Sequence, residues 1–113
     1  MTPEHALSNK IRIWCGEHNW LCFHINVGKI RMSDGTYFNT GVPVGWPDLT
    51  IITDTGQVLF IETKIKPRKP TNDQINMLNN LRGRGFIAEV VYEFSEFLTL
   101  ISSINEKVCT KTL

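Results

Sequence analysis

Two nearly unbroken apolar runs, Leu49-Thr50-Ile51-Ile52 and Val58-Leu59-Phe60-Ile61, stand either side of Thr53-Asp54-Thr55-Gly56-Gln57 and constrain this chain more than any other feature. Runs this short, without polar alternation, suit strands covered on both faces. A three-residue hairpin loop ends on a residue in the left-handed region, and Gly56 fits that slot if Asp54-Thr55-Gly56 is the loop. Thr53 then pairs with Gln57 and Ile52 with Val58. Carried outward, the same register sets Asp48 opposite Glu62. A two-residue loop would oppose Asp48 and Thr63 instead, so the chemistry below depends on Gly56 closing the turn.

Directly opposed residues on one sheet face have Cβ atoms roughly 4.5 to 5.5 Å apart, near enough for two carboxylates to share one cation. Strand alternation adds Lys64 to the face that carries Glu62. Two carboxylates so placed repel unless something positive lies between them. Magnesium suits the position, because it prefers oxygen ligands and is commonly held by one or two carboxylates plus substrate phosphate oxygens. Lys64 would orient the attacking water or offset charge as a pentacovalent transition state forms. The competing reading makes Glu62 and Lys64 a surface pair at a strand end. An apolar strand ahead of them, and Pro47-Asp48 at hairpin distance, favour the chemical reading.

Around this hairpin the chain reads as an αβββαβ order, a mixed sheet flanked by helices in one domain spanning residues 1–113. Thr2-Pro3-Glu4 opens a helix over residues 3–18, whose apolar stripe is Leu7, Ile11, Trp14 and Cys15. Trp20 to Val27 reads as a strand, and residues 28–47 as an excursion or short hairpin punctuated by Gly28, Gly35 and Gly41. Thr71-Asn72-Asp73-Gln74 matches a capping box, with Ile75, Leu78 and Leu81 as the stripe behind it. Gly83 or Gly85 ends that helix. Phe86 to Tyr92 gives another strand, and Ser95 caps a last helix that turns Phe97, Leu98, Ile101 and Ile104 inward. Lys107 to Leu113 would fray.

The formal net charge is only +1, but from Lys64 to Arg84 six basic residues face the single acid Asp73. Lys66, Arg68, Lys69, Arg82 and Arg84, with Lys29 and Arg31 earlier in the chain, are candidate phosphate contacts. Cys15, Cys22 and Cys109 lack the spacing of a zinc knuckle or redox dithiol, and the first two read as core. His5, His18 and His24 lack zinc-ligand spacing; His24 reads as packed on its strand, and His5 lies next to Glu4. Trp14, Trp20 and Trp46 read as core or rim packing. No apolar run is long enough for a membrane span and no leader pattern is visible, so an intracellular, cytoplasmic protein is expected.

Gly45-Trp46-Pro47-Asp48-Leu49, then Phe60-Ile61-Glu62-Thr63-Lys64 after a hairpin, then Gln74 opening a helix, resembles the virus-type replication-repair nuclease (VRR-NUC) domain of the PD-(D/E)XK superfamily. The resemblance runs from Glu4 to about Val91, and it rests on the order and spacing of short motifs. It implies a restriction-endonuclease-like core and a metal-dependent endonuclease of phage or bacterial type, often a stand-alone homodimer acting on branched DNA such as four-way junctions. It implies that Asp48, Glu62 and the main-chain carbonyl of Thr63 bind Mg²⁺ or Mn²⁺, that Lys64 is catalytic, and that Glu4 and Gln74 complete the site. Both have local competitors: Glu4 is also a favoured first-turn acid and Gln74 the return arm of a capping box.

A chain with no appended zinc finger or helix-turn-helix has little apparatus for reading bases, so selection by DNA shape is expected. Cutting two strands of a junction with one site per chain makes a two-fold dimer economical. Ile30, Met32, Tyr37 and Phe38 are the expected dimer surface, although residues 28–44 could equally be a DNA-contacting hairpin or a flap. The alternatives are a sequence-specific restriction-type nuclease, with the same chemistry, and a non-catalytic nucleic-acid-binding module.

Overall fold

The computed structural model describes residues 2–25 and 29–111, with the side chains of the last helix described as far as Ile104. The elements are α1 (Pro3–Glu17), β1 (Leu21–His24), β2 (Lys29–Arg31), β3 (Tyr37–Asn39), β4 (Leu49–Ile52), β5 (Val58–Thr63), α2 (Asn72–Gly83), β6 (Ile87–Val91) and α3 (Phe94–Lys111). The expected extension of the first strand through Val27, the Gly28 punctuation, the last two of residues 107–113 and the side chain of Cys109 fall outside the described residues, whereas Lys107 to Lys111, expected to fray, continue α3 as helix.

β1, β4, β5 and β6 form one sheet in that order, and among the described residues β2 pairs with β3 alone. The β4–β5 hairpin adopts the expected register, from Ile52 opposite Val58 to Leu49 opposite Ile61. Gly56 sits at φ +86°, and the Thr53 and Gln57 backbones close the loop with a 2.8 Å hydrogen bond. Asp54 ties the loop to the body by accepting from the Trp20 indole at 3.2 Å. β6 lies parallel to β5, joined through α2 as a parallel pair requires.

Both faces of β5 are buried. Leu59 and Ile61 join Leu7, Ile11 and Cys15 of α1 and Phe97, Ile101 and Ile104 of α3 in the larger core. Phe60 on the opposite face packs with Leu78 and Leu81 of α2, flanked by Trp46. Cys15 is buried as expected, and Cys22 is half-buried beside it. A hydrogen bond that the Cys15 thiol donates to Cys22, with burial, pushes the Cys15 thiol far up.

Three local expectations are corrected. α3 begins at Phe94, so Ser95 lies inside it and does not cap it. Glu96 reaches back instead, accepting from the Tyr92 and Glu93 backbone N–H groups at 2.6 and 3.1 Å, the return half of a capping box. Ile75 and Leu98 are exposed, because the sheet covers each helix over a narrower arc than the full apolar stripe. His24 is exposed at the sheet edge and is not packed.

Candidate active site

Antiparallel pairing brings the start of β4, the end of β5 and the end of β1 to one end of the sheet, and α2 begins there. Asp48, one residue before β4, accepts from Thr63 twice on Oδ2: from the backbone N–H at 3.1 Å and from the hydroxyl at 2.8 Å. Since the Thr63 hydroxyl proton is committed to Asp48, the 3.0 Å contact between the Ser8 and Thr63 hydroxyls has Ser8 as donor. A hydrogen-bonded chain thus runs from α1 through β5 to Asp48.

Glu62 is 1% exposed. Its Oε1 accepts from the Gln74 amide at 3.1 Å and lies 3.9 Å from the Lys64 ammonium. Oε2 is buried without a hydrogen-bond partner. Burial, then the neighbouring Asp48 charge, push the Glu62 carboxyl up to about 8, with Lys64 opposing the shift. Without a bound cation Glu62 therefore carries a proton at neutral pH.

Gln74 does both things its sequence position suggests. Its Oε1 accepts from the Thr71 N–H at 2.9 Å, completing the capping box, while its amide reaches Glu62. Gly45 fixes where that helix turn sits. At φ +90° it lies so close to α2 that an added Cβ would fall 2.3 Å from the Asp73 carbonyl oxygen. The Gly45-Trp46-Pro47-Asp48 segment and the first turn of α2 therefore interlock through backbone.

Other expected site residues are more dispersed. Glu4 lies one helical turn before Ser8, which puts it on the face turned toward β5; its carboxylate is 3.7 Å from the Arg68 guanidinium. Lys66 rides 5.7 Å over the Tyr92 ring, and Lys69 is exposed nearby. Arg82 is committed to the Ala88 carbonyl, Asn79 and Glu89, and Arg84 to Asn80. Both lie near the far end of α2, at least about 12 Å along the helix from Gln74. Lys29 and Arg31 are exposed on β2. His18 stacks on Trp14 with ring centroids 3.7 Å apart, and Trp46 packs edge-on against Phe60.

Ser8, the Thr63 hydroxyl and the packing role of Gly45 escaped the sequence reading. The four-residue spacing of Glu4 and Ser8 was a usable signal, since a polar residue beside the apolar stripe of α1 needs a partner.

The donor set fits a hard divalent cation: two opposed carboxylates, one with an orphaned buried oxygen and held protonated by burial and by the neighbouring Asp48 charge. Among the described residues no three His, Cys, Asp or Glu side chains gather as a closed metal cage. An open two-carboxylate site of this kind leaves coordination positions for water and phosphate.

Two acids and a lysine at the end of a mixed sheet, on strands paired in this way, are the mark of a PD-(D/E)XK-type nuclease. The chain belongs to the VRR-NUC domain family, whose model matches residues 3–93. A solved VRR_NUC domain is similar in fold, with a TM-score of 0.69 at 23% identity, over 90% of this chain and 97% of that chain. No curated protein matches the sequence. Among the described residues no helix is long and apolar enough to cross a membrane.

Proposed function

We propose that this nuclease is a metal-dependent endonuclease that hydrolyses DNA phosphodiester bonds, selecting branched DNA such as four-way junctions and acting as a homodimer. The observation that carries the reading is Glu62: a fully buried carboxylate with one oxygen unpartnered, opposed to Asp48 and beside Lys64. Asp48, Glu62 and the Thr63 carbonyl would hold Mg²⁺ or Mn²⁺, which supplies Lewis acidity toward the scissile phosphate and lowers the pKa of a bound water. Thr63 keeps the Asp48 carboxylate aimed into the site. Gln74 does the same for Glu62. Lys64, largely shielded from solvent, lies beside Glu62 and would offset negative charge that builds on the phosphate in the transition state. Glu4 takes part from α1 through its position one turn from Ser8.

The β2–β3 hairpin supports the dimer reading. Ile30 faces Phe38 across its strands, so both lie on one face, while Arg31 and Tyr37 share the other. An apolar face suits a second copy of the chain and a basic one suits phosphates.

The test is cleavage of labelled four-way junction, flap and linear duplex DNA with Mg²⁺, with Mn²⁺ and with chelator, beside Asp48→Asn and Lys64→Ala proteins. Metal-dependent cutting of the branched substrates that is lost in both variants, with DNA binding retained, is the expected result. Equal cutting of linear duplex would refute the selectivity, a defined palindromic cut site would favour a restriction-type enzyme, and binding without cutting under every ion would leave a non-catalytic binding module. A single mass in solution corresponding to one chain at all concentrations would remove the dimer.

A further inference from the structure

A cleft of about 380 Å³ opens beside the active site, between α1 and the edge strand β1, lined by the polar residues His5, Ser8, Asn9, Arg12 and His24. Nothing in the sequence reading gave Arg12 a role. Three features set the cleft apart from the rest of the surface. It has no acidic side chain in its lining, and it combines a guanidinium and two imidazoles, which can donate hydrogen bonds, with the Asn9 amide and the Ser8 hydroxyl, whose proton goes to Thr63. Arg12 pairs with no carboxylate among the described residues, whereas Arg68 and Arg82 do. The cleft is also joined to the reaction centre: Ser8 donates to Thr63, which holds Asp48, and the residue after His24 donates its backbone N–H to the Asp48 carbonyl at 3.3 Å.

Geometry gives the cleft a place along a bound strand. β1, β4 and β5 are successive neighbours, and the cleft and the carboxylates share one sheet end. Strands spaced about 4.8 Å apart put β1 about 10 Å from β5. Measured along a duplex axis, that span corresponds to two or three nucleotides of one strand at roughly 3.4 Å each.

We propose that this cleft is a subsite for the DNA backbone, binding a phosphate two or three nucleotides from the scissile one, with Arg12 as its main charge and His5 and His24 as flanking donors. The proposal rests on the nuclease reading and adds to it the path of the strand: from Lys64 and Glu62 across Asp48 toward the β1 edge.

The experiment measures dissociation constants for fluorescent branched DNA over a series of KCl concentrations, with Ca²⁺ in place of Mg²⁺. It compares wild type, Arg12→Ala and Lys10→Ala, the last removing an equal charge from the same helix at a position beside Phe94. Both substituted positions are exposed, so folding is not at stake, and thermal melting verifies it. Arg12→Ala is expected to weaken binding about tenfold and to lower the slope of log K against log salt by about one, while Lys10→Ala changes neither. Substrates with one neutral methylphosphonate, stepped along each side of the cut site, should cancel the Arg12→Ala penalty only at the second or third position. An Arg12→Ala protein with wild-type affinity and slope overturns the subsite, as does a penalty that no methylphosphonate position cancels. Binding by a wild type that never cleaves would fail the nuclease reading while still testing the cleft. A wild type that binds no DNA overturns both.

Discussion

The chain builds two antiparallel hairpins of opposite character. β4–β5 is covered on both faces, locked at its tip by Gly56 and Asp54, and carries Asp48, Glu62 and Lys64 at its open end. β2–β3 makes its own two-stranded sheet, with Tyr37 66% and Phe38 59% exposed. A catalytic pair must keep its geometry through each encounter, and burial on both sides over-determines that geometry. A surface that meets a partner needs no such rigidity, and short exposed hairpins are marginal alone. The contrast supports the proposal that chemistry lies on the first hairpin and association on the second.

The largest effect that would sharpen this contrast comes from the cost of burying Glu62. A folded-state carboxyl at about 8 keeps a proton that the unfolded chain releases near 4.3, so the metal-free protein loses stability as pH rises between those values. At roughly 1.4 kcal/mol per unit the loss amounts to a few kcal/mol. Thermal melting from pH 4.5 to 8.5 should show the decline, Glu62→Gln should flatten it, and Mg²⁺ or Mn²⁺ should raise the melting temperature more at pH 8 than at pH 5. A flat wild-type profile would refute the buried-acid account.

Next comes Gly45→Ala. Its new Cβ would overlap the Asp73 carbonyl, and its φ of +90° strains any side chain, so a loss of about 2–4 kcal/mol is expected in denaturant unfolding. Metal affinity should fall further than stability alone explains, because α2 must shift and Gln74 with it. Gly56→Ala should cost about 1–2 kcal/mol for its left-handed backbone alone, since nothing stands where its Cβ would go. Smallest is Phe38→Ser on the outer hairpin: stability should change by less than about 0.5 kcal/mol, while sedimentation reads a shift toward single chains. A large stability loss there would erase the distinction between the hairpins.

Legibility in the sequence followed the same divide. The β4–β5 register, and with it the Asp48–Glu62 opposition, was readable because a glycine at one loop position sets a whole ladder. The caps at Thr2 and Thr71 were readable because their partners lie three residues away. Ser8 to Thr63 was not, since a helix face meets a strand only after folding. The same holds for the cleft of Arg12 and His24, whose walls are far apart in the chain. Ser95 looked like a cap by residue type, yet Glu96 reached the free N–H groups first, and composition alone does not rank such competitors. The exposure of Ile75 and Leu98 reflects how far each helix overhangs its sheet, which periodicity does not encode.

Gln74 carries one more consequence. Because its oxygen is claimed by the Thr71 N–H, the amide nitrogen is the end that faces Glu62, and the side chain cannot flip without undoing the cap. The capping box thereby sets the polarity of that wall of the site: it presents a hydrogen-bond donor to anions and no lone pair to a cation. A rule of helix ends thus becomes a rule of ligand choice.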